Sequence, residues 1–309
     1  MKKTGLNNIL YIKTCVMTNY LLLCLAVMMM AGCGSGSQTS EQAGEEISTG
    51  DISAVAERYR EDLARIVSYR GQLKEIHPVL GELYPVTIVV DDHFYVFDLD
   101  DGGHYVPVAD CPAPMPVPEG VRAAFQIACY DNNTACVVTP DVFDESFGYA
   151  TIFHEFIHCH QAATVEPALR QNLPLAQKAL EEEDYMWEIN HPFPYEGDFE
   201  SLYARFMQAA AEGDMEAVKA CRSELAGMLN DHDYQYMVWQ EWKEGFALFL
   251  EQKIREEMGL GLNKVGRRPP FDRTAFYAGG AAWIDLLGEN DPALLTDLEA
   301  LFKRMMYGS

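Results

Sequence analysis

The chain has 309 residues, 49% of them apolar, which is ample for a sizeable core and confines tether-like composition to the first fifty residues. Aspartate and glutamate number 47 against 23 lysines and arginines, giving a formal charge of -24. A field of that sign repels nucleic acid and anionic membranes, so a nucleic-acid partner is excluded.

Lys2, Lys3 and Lys13 precede an apolar run from Tyr20 to Ala31, too short for a comfortable membrane span and in keeping with an export signal. The run ends in Met30-Ala31-Gly32-Cys33, which resembles a bacterial lipobox, whose cysteine is acylated and becomes the new N-terminus. Residues 1–32 are therefore expected to be a signal peptide and Cys33 a lipid anchor. The folded part would then sit outside the cytoplasm, tethered to the bacterial cell membrane or envelope. An ordinary cleaved signal or an uncleaved anchor is the alternative, and the long basic region leaves Met17 open as the true start. Residues 33–50, rich in Gly, Ser, Gln, Thr and Glu, read as a flexible tether.

From Asp51 to about Lys74, Ile52, Val55, Ala56, Tyr59, Leu63, Ile66 and Val67 recur on one helical face. Five short β-type runs follow: Val86 to Val90, Phe94 to Leu99, His104 to Val108, Ala123 to Cys129 and Ala135 to Thr139. Asp-Gly and Pro-rich breaks separate them, predicting a small, mostly antiparallel sheet. Asp98-Leu99-Asp100-Asp101-Gly102 lacks the rest of an EF-hand loop and reads as a hairpin turn rather than a calcium site. Beyond the signal and Cys33, the cysteines are Cys111, Cys129, Cys136, Cys159 and Cys221, an odd number, so at least one is unpaired or bonded to another chain. The polar turn between Cys129 and Cys136 suggests a hairpin disulfide, with two buried thiols as the alternative.

From Gly148 onward the pattern is helical. Asp198 and Asp214 are candidate caps for helices over 199–212 and 215–229, a helix runs from about His232 to before Gly259, and Asp291-Pro292 starts the last. The fold class is therefore α+β, a sheet lobe followed by a helical lobe.

The chemistry-bearing segment is Thr151-Ile-Phe-His-Glu-Phe-Ile-His-Cys-His-Gln161. His154 and His158 stand at i and i+4, so both imidazoles can reach one zinc ion from the same helix face. Glu155 adjoins the first ligand and is placed to take a proton from an activated water rather than bind the metal. His160, two residues on, points away and is expected in packing rather than ligation.

A second apolar helix, Glu241-Trp-Lys-Glu-Gly-Phe-Ala-Leu-Phe-Leu-Glu251, contains Trp242-Lys-Glu-Gly-Phe-Ala247. Together with His-Glu-x-x-His this resembles the gluzincin metallopeptidases, and in particular the third-ligand helix of the aminopeptidase N family, one residue shorter after the Trp. The resemblance implies that Glu244 is the third zinc ligand. It also implies a zincin-like fold with the zinc site between the lobes, hydrolysis of a peptide or protein substrate, and an edge strand at Ala135–Thr139 that pairs with extended substrate. A Tyr or His from the later lobe would stabilise the oxyanion, and Tyr277, beside Gly279-Gly280, is the candidate. Gly245 is expected to let its helix approach the His-Glu-x-x-His helix. Glu241 and Glu251 share the Glu244 face, either accepting from the ligand imidazoles or, more simply for Glu241, forming a solvated stripe.

The resemblance spans two short helices only. Eighty-five residues separate His158 from Glu244, and no Gly-x-Met-Glu-Asn sequence for binding a substrate amine is present, so aminopeptidase activity is not implied. Gln161 and Thr164 stand where metzincins carry Gly and His. The expected organisation is 51–164 as sheet lobe and active-site helix, 165–230 as a helical insertion, and 231–309 as the helical lobe with the third ligand. Two rival readings are a non-enzymatic zinc- or peptide-binding surface lipoprotein on the same scaffold, and a solute-binding lipoprotein with a coincidental motif.

Overall fold

A computed structural model describes residues 51–308. The expected signal peptide, the lipobox at Cys33 and the tether lie outside the described residues. Among the described residues, no helix is long and apolar enough to cross a membrane. The chain is α+β and its described residues divide into two compact units, one holding 51–72 with 81–159, the other 73–80 with 160–308.

The first unit begins with helix α1 (Ile52–Arg58), capped by the Asp51 carboxylate, which accepts from the Ser53 amide at 2.9 Å. After a break at Tyr59 the helix resumes as α2 (Arg60–Leu73). Five strands follow: β1 (Val86–Val90), β2 (His93–Leu99), β3 (Tyr105–Pro112), β4 (Arg122–Ile127) and β5 (Asn133–Val138). They form one sheet in the order β3-β2-β1-β5-β4, antiparallel throughout except where β1 runs parallel to β5 with Ile88 opposite Val138. The Asp98–Gly102 segment is indeed a turn: the Gly103 amide donates to Asp100 O, and the Asp100 carboxylate accepts from the His104 amide.

Strands β3 and β4 are the two edges, four strand spacings apart, which in a flat sheet would be about 19 Å. Yet Cys111 of β3 and Cys129, just past β4, are disulfide-bonded with Cα atoms 6.3 Å apart. The sheet must therefore roll until its edges meet. Phe94, Val96, Phe125, Ile127 and Val137 fill the trough so formed. This corrects the hairpin disulfide expected between Cys129 and Cys136: Cys136 is a buried thiol on β5, as are Cys159 and Cys221 on their helices. It also corrects the edge role of Ala135–Thr139, because β5 is hydrogen-bonded on both sides, to β4 and to β1, and offers no open backbone for a substrate.

Helix α3 (Ser146–Thr164) follows a one-turn 3-10 helix at Pro140–Phe143, and residues from 160 onward are counted with the second unit. That unit continues through α4 (Glu166–Asn172), α5 (Pro174–Glu181), α6 (Trp187–Asn190), α7 (Asp198–Ala211) and α8 (Met215–Met228). It ends with α9 (Asp231–Glu257), α10 (Thr274–Asn290), a 3-10 turn at Pro292–Leu295, and α11 (Leu298–Tyr307). Asp214 caps α8 as expected, whereas Asp198 is the first residue of α7 and Gly197 takes the cap, and Asp297 rather than Asp291 caps the last helix. Helix α9 is the axis of the unit: Tyr236, Met237, Val238, Trp239, Trp242, Phe246 and Ala247 are all fully buried. Trp242 is fixed by donating Nε1–H to Leu298 O at 2.9 Å.

Candidate metal centre

Helix α3 buries Phe153, Phe156, Ile157 and Cys159, which leaves His154 and His158 stacked on the remaining face. Their Nε2 atoms stand 3.1 Å apart. Ligand nitrogens of both and a carboxylate oxygen of Glu244 all lie within 4.8 Å of one another, a group that could hold a metal ion. Tetrahedral zinc with bonds of about 2.0 to 2.1 Å has ligand atoms about 3.3 Å apart, so the imidazole pair already has the spacing and the carboxylate oxygen lies within 4.8 Å of both. Two imidazoles with one carboxylate are also the donor set of open, catalytic zinc sites rather than closed structural ones. His160 is not in the group, as its place on the helix requires.

Glu155 is buried on α3 at 7% exposure, next to β5. Burial first, and then the Glu155 charge, push the Cys136 and Cys159 thiols well above their ordinary range. Both cysteines are therefore inert neighbours, not nucleophiles.

Glu244 is positioned through the residue before it. Gln161, fully buried in the last turns of α3, donates Nε2–H to Lys243 O at 3.1 Å, fastening the α9 backbone at that point. The Lys243 ammonium turns the other way, to Glu188 at 2.9 Å and Glu166 at 3.2 Å. Arg170 pairs with the same two carboxylates, at 3.0 Å to Glu166. Burial alone would raise the Glu188 pKa, but the Arg170 and Lys243 cations outweigh it and bring it to about 2. Sequence reasoning did not find this four-residue cluster. Its one legible sign was the i, i+4 pair Glu166 and Arg170.

Two expectations about this helix are corrected. Gly245 does not face α3: a Cβ there would lie 2.7 Å from Gly280 Cα, and one on Gly280 would lie 2.1 Å from Glu241 O. The close approach is therefore between α9 and α10. Glu241 is neither solvated nor beside the imidazoles; fully buried, it accepts from Arg222 Nη1 at 2.7 Å and from the Tyr203 hydroxyl at 2.8 Å. Glu251, also buried, takes Arg255 at 2.7 Å and Asn263 at 3.1 Å. Tyr277 is half-buried on α10, its ring 5.8 Å from the Arg273 guanidinium carbon.

No protein-family model, curated protein or solved structure matches the chain.

Proposed function

We propose that the protein is a zinc-dependent peptidase of the gluzincin kind, acting outside the cytoplasm from a lipid anchor at Cys33. The observation that carries this reading is the convergence of His154, His158 and Glu244 on one point, from two sequence segments whose motifs led to the same three residues. Lying next to the first imidazole of that trio, Glu155 supplies the group that a hydrolase needs and a mere metal-binder does not.

Zinc held by these three side chains would act as a Lewis acid, polarising the scissile carbonyl and lowering the pKa of an adjacent water. Glu155 takes the proton from the attacking water and delivers it to the leaving amine nitrogen. The buried setting of Glu155 strengthens its hydrogen bond to that water by excluding competing solvent. Tyr277 is the candidate donor to the oxyanion that develops on the carbonyl oxygen. The Gln161, Lys243 and Glu188 contacts hold the Glu244 turn in place, so that the carboxylate does not have to be ordered when metal arrives.

The test is Glu155→Gln, compared with wild type in zinc content and in cleavage of a mixed peptide library. Full zinc with cleavage lowered at least about 1,000-fold is expected, since the general base is lost and the ligands are kept. A Glu155→Gln protein that cuts like wild type would remove the peptidase assignment.

A further inference from the structure

Of the basic side chains at least half-buried in the helical unit, Arg170, Arg222, Lys243, Lys253 and Arg255 each meet a carboxylate. Arg273 and Arg304 meet none among the described residues, and of these two it is Arg273 that stands near Glu244. Its one hydrogen bond is a long one, from Nη1 to Glu188 O at 3.4 Å, and that carbonyl already accepts from Gln240 Nε2 at 2.7 Å and the Tyr236 hydroxyl at 3.1 Å. A half-buried guanidinium with most of its five donors unspent is a site for an anion.

The shared carbonyl also locates it. Tyr236, Gln240 and Glu244 form an i, i+4, i+8 row on α9, so the Arg273 tip lies alongside the two turns that lead up to Glu244. The Tyr277 ring lies 5.8 Å from its guanidinium carbon. Burial works against its charge, but Tyr277 and Glu244 outweigh that and hold its pKa above the ordinary value.

On the peptidase reading above, we infer that Arg273 receives the C-terminal carboxylate of the substrate, making the protein a peptidase that removes short fragments from free C-termini. One to two turns of helix, about 6 to 12 Å, separate the Arg273 partners from Glu244, and an extended peptide advances about 3.3 Å per residue. The carboxylate thus falls roughly two to four residues past the cleaved bond. A planar bidentate match between guanidinium and carboxylate gives the selectivity over an amide.

The experiment compares zinc-loaded wild type, Arg273→Gln and Arg273→Lys on three matched peptide sets: free C-terminal acids, their C-terminal amides, and amides carrying Asp or Glu in the last positions. Binding to each is also measured with Glu155→Gln as background, so that recognition is read without turnover. Free acids are expected to bind and be cut on the order of 10- to 100-fold better than amides. Arg273→Gln should abolish the difference between acids and amides, and Arg273→Lys should restore part of it. Equal handling of acids and amides by wild type overturns the proposal, and so does a preference that survives in Arg273→Gln. Acidic amides bound as well as free acids overturn the terminal assignment, placing a side-chain carboxylate on Arg273 instead. If wild type cuts nothing while Glu155→Gln still prefers acids through Arg273, the peptidase reading fails and the carboxylate site stands.

Discussion

Glu241 and Glu244 occupy adjacent places on one helix, yet their surroundings give them opposite tasks. Glu244 keeps an oxygen near two imidazoles, whereas Glu241 is sealed against Arg222 and Tyr203. Glu241→Ala should therefore leave the Arg222 guanidinium, whose side chain is 8% exposed, without a counter-charge, and destabilise the protein by about 3 to 5 kcal/mol in urea unfolding. Helical periodicity put both glutamates on one face, but it could not show that Arg222, nineteen residues earlier, comes round to neutralise one of them. The imidazole pair was legible for the opposite reason, since an i, i+4 spacing fixes its own geometry within one helix.

His77 supplies a pH test at the same scale. Its Nε2–H donates to Leu295 O at 2.9 Å and its Nδ1 accepts from the Val79 amide at 3.2 Å, an arrangement that needs the neutral ring. Burial chiefly, with His160 adding, lowers its pKa below the ordinary 6.5 despite the opposing bond to Leu295. A depressed folded-state pKa contributes stability that is complete above 6.5 and is lost as pH falls through the lower folded value. The melting temperature should drop as pH falls from 6.5 towards the folded value and this contribution should level off below it, and His77→Gln should flatten this part of the profile. An unchanged slope would assign the acid sensitivity elsewhere.

At the scale of elements, the contact between α9 and α10 depends on two glycines that have no special backbone angles. Gly→Ala inside a helix ordinarily gains about 1 kcal/mol. At Gly280 the added methyl would meet the Glu241 carbonyl at 2.1 Å, a backbone atom that cannot rotate away. Gly280→Ala should accordingly destabilise by about 1 to 3 kcal/mol and weaken metal binding through displacement of Glu244, read by denaturant midpoint and zinc titration. The sequence signalled close approach at Gly245 and Gly279-Gly280 but not which helix was approached, because a missing side chain carries no address.

The sheet was legible strand by strand. Alternation and turn residues located all five strands to within a few residues, Val86–Val90 without error. Strand order was not legible: β5 is flanked on one side by its hairpin partner and on the other by β1, from nearly fifty residues earlier. That parallel pairing removes β5 from the edge, and the rolling of the sheet brings Cys111 to Cys129. Closing a loop of this length should stabilise by about 3 kcal/mol, so Cys111→Ala should lower the denaturant midpoint accordingly, whereas Cys136→Ala should act only through a small cavity.

For the molecule as a whole, the charge of -24 bears on what can approach it. A long-range field of that sign slows anionic substrates, and a local cation such as Arg273 is then the more valuable for holding a carboxylate that the surface repels. The proposed activity nevertheless depends on His154, His158 and Glu244, the group that could hold a metal ion. Metal analysis of the purified protein after dialysis against trace zinc tests it most directly. One zinc per chain is expected in wild type and in Glu155→Gln, with the metal lost from both His158→Ala and Glu244→Ala. Wild type without stoichiometric zinc, or a Glu244→Ala protein that holds zinc as tightly as wild type, would contradict it.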